Sequence, residues 1–411
     1  MLGTLRLEEP PILKEATLDE AGWCLPFSYE VGEHRRGGRG LLIKYKARNL
    51  TLSKPQIATD SYLELIFPFS SNSTLREQYQ RFTSNHMRFG LLLEDLDTLA
   101  GDIAARHAGV SERVLLTASI DRISWIQDRH VAGEVTLANN LRMAGQVVWA
   151  GRSSMEVMIE LSHQAPGADP NQWNFIGLAF FVLVARTPDR TAAAEVPLLV
   201  PETSREMELF EQGKVHMQQR QQRRDAHWAR RPPTGEEVAL VHDLIRQHHL
   251  HRIGNYHYHH HHHHPQQHGE TVPMSRTVLQ NCCLMHSQDR NVFDVIFGGH
   301  LLRLAYEHAF STAALHAGEY CDPLSMDDVA FLMPGCVVRV HVRATKVEPG
   351  APEQSVVTNV FSFAFRCPSG PVRRVVPDTM VEAMEYLMGR RQNANDEASQ
   401  AVLAAQAVAR L

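Results

Sequence analysis

One pattern occurs twice in this 411-residue chain, and it constrains the fold more than any other feature. Each time, a glycine turn opens a helix with an apolar stripe, and runs rich in Val, Ile and Phe follow. The first copy reads Arg88-Phe-Gly90-Leu-Leu-Leu-Glu-Asp95-Leu-Asp97-Thr-Leu-Ala100-Gly-Asp-Ile-Ala104. The second reads Ile296-Phe-Gly-Gly299-His-Leu-Leu-Arg303-Leu-Ala-Tyr306-Glu-His-Ala-Phe310. In the first, Leu92, Leu93, Leu96, Leu99, Ala100 and Ile103 recur at spacings of three and four, the mark of a buried helical face. Leu301, Leu304, Ala305, Ala309 and Ala313 repeat that spacing in the second. Strand-like runs follow at 114–121, 141–149, 154–161 and 175–185, and again around 329–333 and at 337–347 and 355–366. Such runs suit a broad antiparallel sheet. A long helix followed by them predicts an α+β unit with the helix against one sheet face, present in two copies.

What lies between the copies is different. Residues 202–231 are polar, rich in Gln and Arg, and end in Arg230-Arg231-Pro232-Pro233. Residues 207–229 predict a solvated connecting helix. Residues 236–250 predict a shorter one, with Val238, Leu240, Val241 and Leu244 at helical spacing. A histidine tract then runs from His259 to His264, with His257 and His268 nearby. A homopolymer run has no fixed geometry and no neighbours to orient its rings, so it predicts a low-complexity loop rather than a metal site. The expected organisation is an amino-terminal extension (1–57), a first domain (58–190), a linker with connecting helices (191–269), a second domain (270–390) and a helical tail (391–411).

Composition excludes several classes. Lys and Arg number 41 against 46 Asp and Glu, a formal net charge of −5, which removes a dominantly basic nucleic-acid surface. The longest apolar run, 175–185, is far shorter than the ~20 residues of a membrane-spanning helix, so no span is expected. The six cysteines (24, 282, 283, 321, 336 and 367) lack the spacing of a disulfide framework and predict buried, reduced thiols. Cys282-Cys283 has no partner C-x-x-C, so no zinc site is predicted. The first ten residues carry one arginine and two acids, fitting neither a secretory signal nor a transit peptide. Gly151-Arg-Ser-Ser is followed by Met, so the nucleophile elbow of serine hydrolases is missing. Glycine fingerprints for nucleotides are missing too.

The candidate chemistry gathers at the helix starts. Gly298 and Gly299 open the second helix, and Gly90 opens the first. A helix end of this kind exposes unpaired N–H groups at its positive pole, able to meet a phosphate or a developing oxyanion. A plain tight turn is the simpler alternative. Asn291 lies eight residues before Gly299, in the loop leading to that helix. Asp97 sits inside the apolar stripe, on the face of Leu93, Ala100 and Ala104. A carboxylate there is costly unless used or paired. A solvated edge is the alternative, and Glu94 and Asp95 beside it are expected to point outward.

Four stretches make the chain resemble a known family. They are Asp60-Ser-Tyr-Leu-Glu-Leu-Ile-Phe-Pro-Phe-Ser-Ser71, Met87-Arg-Phe-Gly-Leu-Leu-Leu-Glu-Asp-Leu-Asp97, residues 148–157 with Gly151-Arg-Ser-Ser-Met-Glu-Val157, and Arg290-Asn291 leading to Ile296-Phe-Gly-Gly299. Spread over about 58–388, they resemble acyl-coenzyme A thioesterases with two tandem hotdog domains, in the thioesterase 9 branch. The resemblance implies a double hotdog: two long-helix-on-antiparallel-sheet domains forming a pseudo-dimer, with the active site between them. It implies Asn291 and Asp97 as the catalytic pair, with Gly298, Gly299 and Gly90 at the substrate. The matching positions of the other site are Phe82 and Tyr306, which cannot do that work, so one working site per chain is expected. Asn85 and Glu307 lie near those positions but out of phase, and Glu307 and Asp294 are secondary candidates.

The chemistry expected is hydrolysis of fatty acyl-CoA. Asp97 activates a water or attacks directly, Asn291 positions water or carbonyl, and the glycine turn receives the oxyanion. Coenzyme A is then part of the substrate, and neither cofactor nor metal is expected. A hotdog enoyl-CoA hydratase using Asp294 and His300, and a non-catalytic acyl-CoA-binding protein, are the rival readings. The resemblance also implies a homo-oligomer of pseudo-dimers, with a trimer as the form the family suggests. It implies a mitochondrial location, with the cytosol as alternative because no clear transit peptide is seen.

Overall fold

The computed structural model describes residues 12–14, 55–81, 84–109, 113–125, 136–169, 171–225, 232–256, 271–291, 293–326, 337–348, 351–370 and 372–387. The chain divides into two compact units, 1–215 with 284–304, and 216–283 with 305–411. Phe82, the histidine tract, Cys24, Cys336, the run at 329–333 and the tail at 391–411 lie outside the described residues, as does the side chain of Asn85.

The first unit is one long helix on an antiparallel sheet. Its elements are β1 (Ile12–Lys14), β2 (Leu63–Phe67), α1 (Ser73–Tyr79), β3 (Gln80–Arg81), β4 (Ser84–Met87), α2 (Phe89–Ala108), β5 (Val114–Trp125), β6 (Asn140–Ala150), β7 (Ser154–Gln164) and β8 (Asn174–Arg186). Asn72 caps α1 by accepting the N–H of Leu75 at 2.9 Å. In the sheet the order is β1-β2-β6-β7-β8-β5, each pair antiparallel. The apolar run at 175–185 is β8, between β7 and β5 and buried on both faces, which is why its sequence does not alternate.

α2 packs on β2, β5, β6, β7 and β8. Its predicted stripe is buried in full, and residues such as Leu92, Leu96 and Ile103 contribute about 1.5–3 kcal/mol each by leaving water. Gly145 on β6 lets the helix come this close. A Cβ there would lie 2.4 Å from the Met158 carbonyl oxygen and 3.0 Å from Cδ1 of Ile103. Helix on sheet is the arrangement that the hotdog resemblance implies for this copy.

Two expectations change. The connecting helix, α3 (Ser204–Asp225), is not simply solvated: Leu209 is buried, and Gly213 rests on the Trp149 side chain. The thiol expectation holds for Cys321 and Cys367, but Cys282 and Cys283 are exposed because their segment, 278–286, has no regular structure.

The second unit contains α4 (Gly235–Tyr256), β9 (Thr271–Pro273), most of α5 (Gly298–Ala317), β10 (Asp322–Met326), β11 (Val337–Glu348), β12 (Ala351–Arg366) and β13 (Arg374–Val376). Strand β12 pairs antiparallel with both β10 and β11, and β13 pairs parallel with β9. On α5, Ala305, Ala309 and Ala313 are buried as the spacing predicts, whereas Leu301 and Leu304 are half-buried. Tyr306 is buried against Phe363 and Phe365. Val241 and Leu244 of α4 are buried, Val241 in a small cluster with Ala383 and Leu387, while Val238 faces solvent.

Candidate active site

Three acids share one buried turn of α2. Glu94, Asp95 and Asp97 are all 2–3% exposed, so the expectation that Glu94 and Asp95 point outward is wrong. The helical wheel assumes one solvent face, but every α2 residue from Phe89 to Asp97 is buried. Each acid has its own solution to that burial.

Asp97 meets the start of α5, whose residues 298–304 belong to the first unit. Its Oδ1 accepts from the Thr117 hydroxyl at 2.8 Å, and the carboxylate also accepts from the backbone N–H of Gly299. Burial raises its pKa from 3.8 to about 6, and the two donors hold it from going higher. The contact depends on glycine: a Cβ on Gly298 would stand 3.1 Å from Asp97 Oδ2. One on Gly299 would stand 2.7 Å from the Phe297 ring and 3.0 Å from the Glu94 carbonyl oxygen. The positive end of α5 therefore reaches a buried carboxylate.

Thr117 is a functional candidate that sequence reasoning missed. It lies in β5 where the register against β8 slips between Thr117 and Ser119. Such a bulge re-aims a side chain, and no linear signal announces it. Arg303 was missed as well. It is ion-paired to Glu94 at 3.1 Å, with both side chains largely buried. An arginine between leucines in the second stripe and an acid in the first were the available signal. The pair ties α5 to α2 one turn beyond Gly299.

Asp95 takes a third course. Tyr79 donates its hydroxyl to Oδ2 at 2.5 Å, and the tyrosine ring packs edge-on against Phe67 and Phe69. Burial drives the Asp95 pKa up to about 8, against the lowering effect of Tyr79.

The other candidates fall as follows. Asn291 shapes the loop before α5: its Oδ1 accepts from the N–H groups of Phe293 at 2.9 Å and Val295 at 3.3 Å. Its own N–H donates to the Val295 carbonyl at 2.7 Å. The side-chain carbonyl is thus committed to the turn, which leaves the amide NH2 as the group to offer a ligand. Asp294 occupies the exposed tip of this loop with φ 59°, and pairs with Arg290 at 2.7 Å. His300 stands 3.9 Å from Asp289 and 3.1 Å from an Arg303 nitrogen. Gly90 is buried in the first turn of α2. Glu307 lies in the second unit, half-buried. Among the described residues, no group of three or more His, Cys, Asp or Glu is placed to hold a metal ion. No helix among them is long and apolar enough to cross a membrane.

A buried carboxylate with a pKa near 6, fed by a hydroxyl and a helix-end N–H, is equipped to take a proton at neutral pH. No family model matches the chain. Individual proteins do. Human mitochondrial acyl-coenzyme A thioesterase 9 is 30% identical over 377 residues, 86% of this chain and 81% of the relative. The chloroplastic acyl-coenzyme A thioesterase 2 of Humulus lupulus is 30% identical over 364 residues, 80% of this chain and 79% of the relative. Among solved structures, an acyl-CoA hydrolase from Bacillus cereus is 22% identical, with a TM-score of 0.33 over 42% of this chain and 93% of that one.

The chain belongs to the acyl-coenzyme A thioesterases. Within them it is a member of the family that includes acyl-coenzyme A thioesterase 9.

Proposed function

We propose that the chain hydrolyses fatty acyl-CoA to free acid and coenzyme A. The observation that carries this reading is Asp97: a buried carboxylate, raised to about 6, against the glycine-opened end of α5. In the proposed reaction, ionised Asp97 takes a proton from the attacking water. The Asn291 amide NH2 orients that water or the thioester carbonyl, and the positive end of α5 favours the oxyanion. In this structure the Gly299 N–H serves Asp97, so the oxyanion is stabilised by the rest of the helix end and its dipole. The coenzyme A thiolate departs and takes the proton from Asp97 to leave as the free thiol, which restores the base, and no cofactor takes part.

The same reading makes the chain a double hotdog, with residues 58–190 and 270–390 as the two copies and one working site between them. In the sequence, Phe82 and Tyr306 match the positions at which the other site would need its pair. The reading also makes the protein a homo-oligomer, and one located in mitochondria, as the thioesterase 9 and 10 relatives are named mitochondrial. The hydratase reading draws no support from this geometry, since Asp294 engages Arg290 and His300 lies beside Asp289.

The test is release of free thiol from a panel of acyl-CoA esters by wild type, Asp97→Asn and Asn291→Asp. The last variant keeps a side-chain oxygen for the turn but removes the amide donor. Turnover by wild type, lost in both variants while ester binding persists, is expected. Binding without thiol release by wild type would make the chain an acyl-CoA-binding protein. Full activity in Asp97→Asn would move the base elsewhere.

A further inference from the structure

A cavity of about 310 Å³ opens in the second unit, between residues 271–279 and the carboxy-terminal half of α5, with Arg373 also in its lining. It contains none of the candidate active-site residues. We propose that it binds a small organic anion, with an oxyanion head held by Arg276 and Arg373 and an apolar body against Leu279 and Leu315.

The charge argument comes first. Among the described residues two guanidinium groups line the cavity and no carboxylate does. Among those residues neither arginine forms an ion pair, and both line a concave surface, where fields concentrate. Arg373 is also held in place. It donates to the His316 carbonyl at 3.0 Å, and its own carbonyl pairs with His316 Nε2 at 3.0 Å. A pre-positioned guanidinium loses less freedom on binding, and its fork suits a carboxylate or phosphate.

The remaining lining decides the body. Thr277 and Thr312 donate their hydroxyls to the Met274 and His308 carbonyls, at 2.8 and 2.9 Å, so they cannot also donate to an anion. Recognition of the head therefore falls to the arginines, with Thr271 as the remaining lining threonine. The apolar lining is Val272, Pro273, Leu279 and Leu315, and Leu315 is 68% exposed. An apolar body would cover that leucine, which a bare inorganic ion would leave in water.

Four probes separate these elements by isothermal titration against the full chain. Phenyl phosphate and benzoate have head and body, inorganic phosphate has only the head, and benzyl alcohol has only the body. At least one aryl anion is expected to bind saturably and more tightly than both inorganic phosphate and benzyl alcohol. The tighter of the two identifies the head as phosphate or carboxylate. Arg276→Ala removes an exposed side chain and is expected to weaken that binding roughly tenfold or more, the loss of one charge-assisted contact. Arg373→Ala should do the same, but it also breaks the His316 contact, so Arg276→Ala is the deciding variant. Three results would each overturn the proposal: no saturable binding up to about 10 mM, benzyl alcohol equal to the anions, or unchanged affinity in Arg276→Ala. The last would place the anion at some other site.

Discussion

Removing the Thr117 hydroxyl should move the pH at which the enzyme switches on. Thr117 donates to Asp97 at 2.8 Å and so favours the ionised carboxylate. Without it the neutral form gains, and the pKa rises from its present value of about 6. A hydrogen bond to a charged group is worth roughly 1.5–3 kcal/mol, and one pKa unit is about 1.4 kcal/mol, so the rise is about 1–2 units. At pH 7 the ionised fraction then falls from roughly nine-tenths to between about a half and a tenth. The assay is kcat/KM for thiol release between pH 5 and 9 in wild type, Thr117→Ala and Thr117→Ser. Wild-type rates should climb with pH and level off above an inflection near 6. In Thr117→Ala the inflection should lie at roughly 7–8 with the alkaline plateau largely kept, and Thr117→Ser should restore it. A flat wild-type profile, or a uniformly lower Thr117→Ala curve with an unmoved inflection, would refute the assignment of Asp97 as the titrating base.

The other expectations concern the same turn of α2. Gly298→Ala, whose Cβ meets Asp97 Oδ2 at 3.1 Å, should lower kcat more than it raises KM. Gly299→Ala, which meets the Glu94 carbonyl at 3.0 Å and the Phe297 ring at 2.7 Å, should cost both activity and melting temperature; wild-type values for either variant would count against the close packing. Glu94→Gln and Arg303→Met should each destabilise by about 3–5 kcal/mol because a buried charge loses its partner, with much of the loss recovered in the double variant. Additive losses in thermal unfolding would show that the pair is not coupled. Asp95 has a folded pKa of about 8 against 3.8, so the folded state keeps a proton that the unfolded chain gives up. Its stabilising contribution is complete below pH 4 and declines, by about 1.4 kcal/mol per pH unit, as pH rises towards 8. Melting of Asp95→Asn between pH 6 and 8 should thus be less pH-dependent than wild type, and parallel curves would contradict this.

Much of the architecture was legible because periodicity survives in the residues themselves. The stripe of α2 and the strands β6, β7 and β8 follow from spacing and composition, and all are present. Asp97 was legible for a related reason, as a carboxylate in a leucine face. The rest was hidden by tertiary context. A helical wheel placed Glu94 and Asp95 outside because it assigns a helix one solvent face, and the first turns of α2 have none. Thr117 reaches Asp97 from beside a register slip in β5, which depends on pairing with a strand about sixty residues away. The commitment of the Asn291 carbonyl to its own turn was equally invisible, since spacing places a residue in a loop but not its hydrogen bonds.

The three acids of α2 also show why burial alone does not identify a base. All three are removed from water, and a search for buried carboxylates would rank them together. Their neighbours separate them. Glu94 faces the Arg303 guanidinium, whose charge it balances while joining two helices. Asp95, raised to about 8, stays protonated at neutral pH and is held by Tyr79, so it already carries the proton that a base would have to take up. Among the described residues Asp97 has donors but no cation, and its pKa of about 6 leaves it ionised at pH 7 yet basic enough to accept a proton. It is also the acid beside the glycine pair that opens α5, where negative charge developing on a substrate would be favoured. Proton affinity and a positive helix end coincide at this carboxylate, and that coincidence singles it out from its two neighbours.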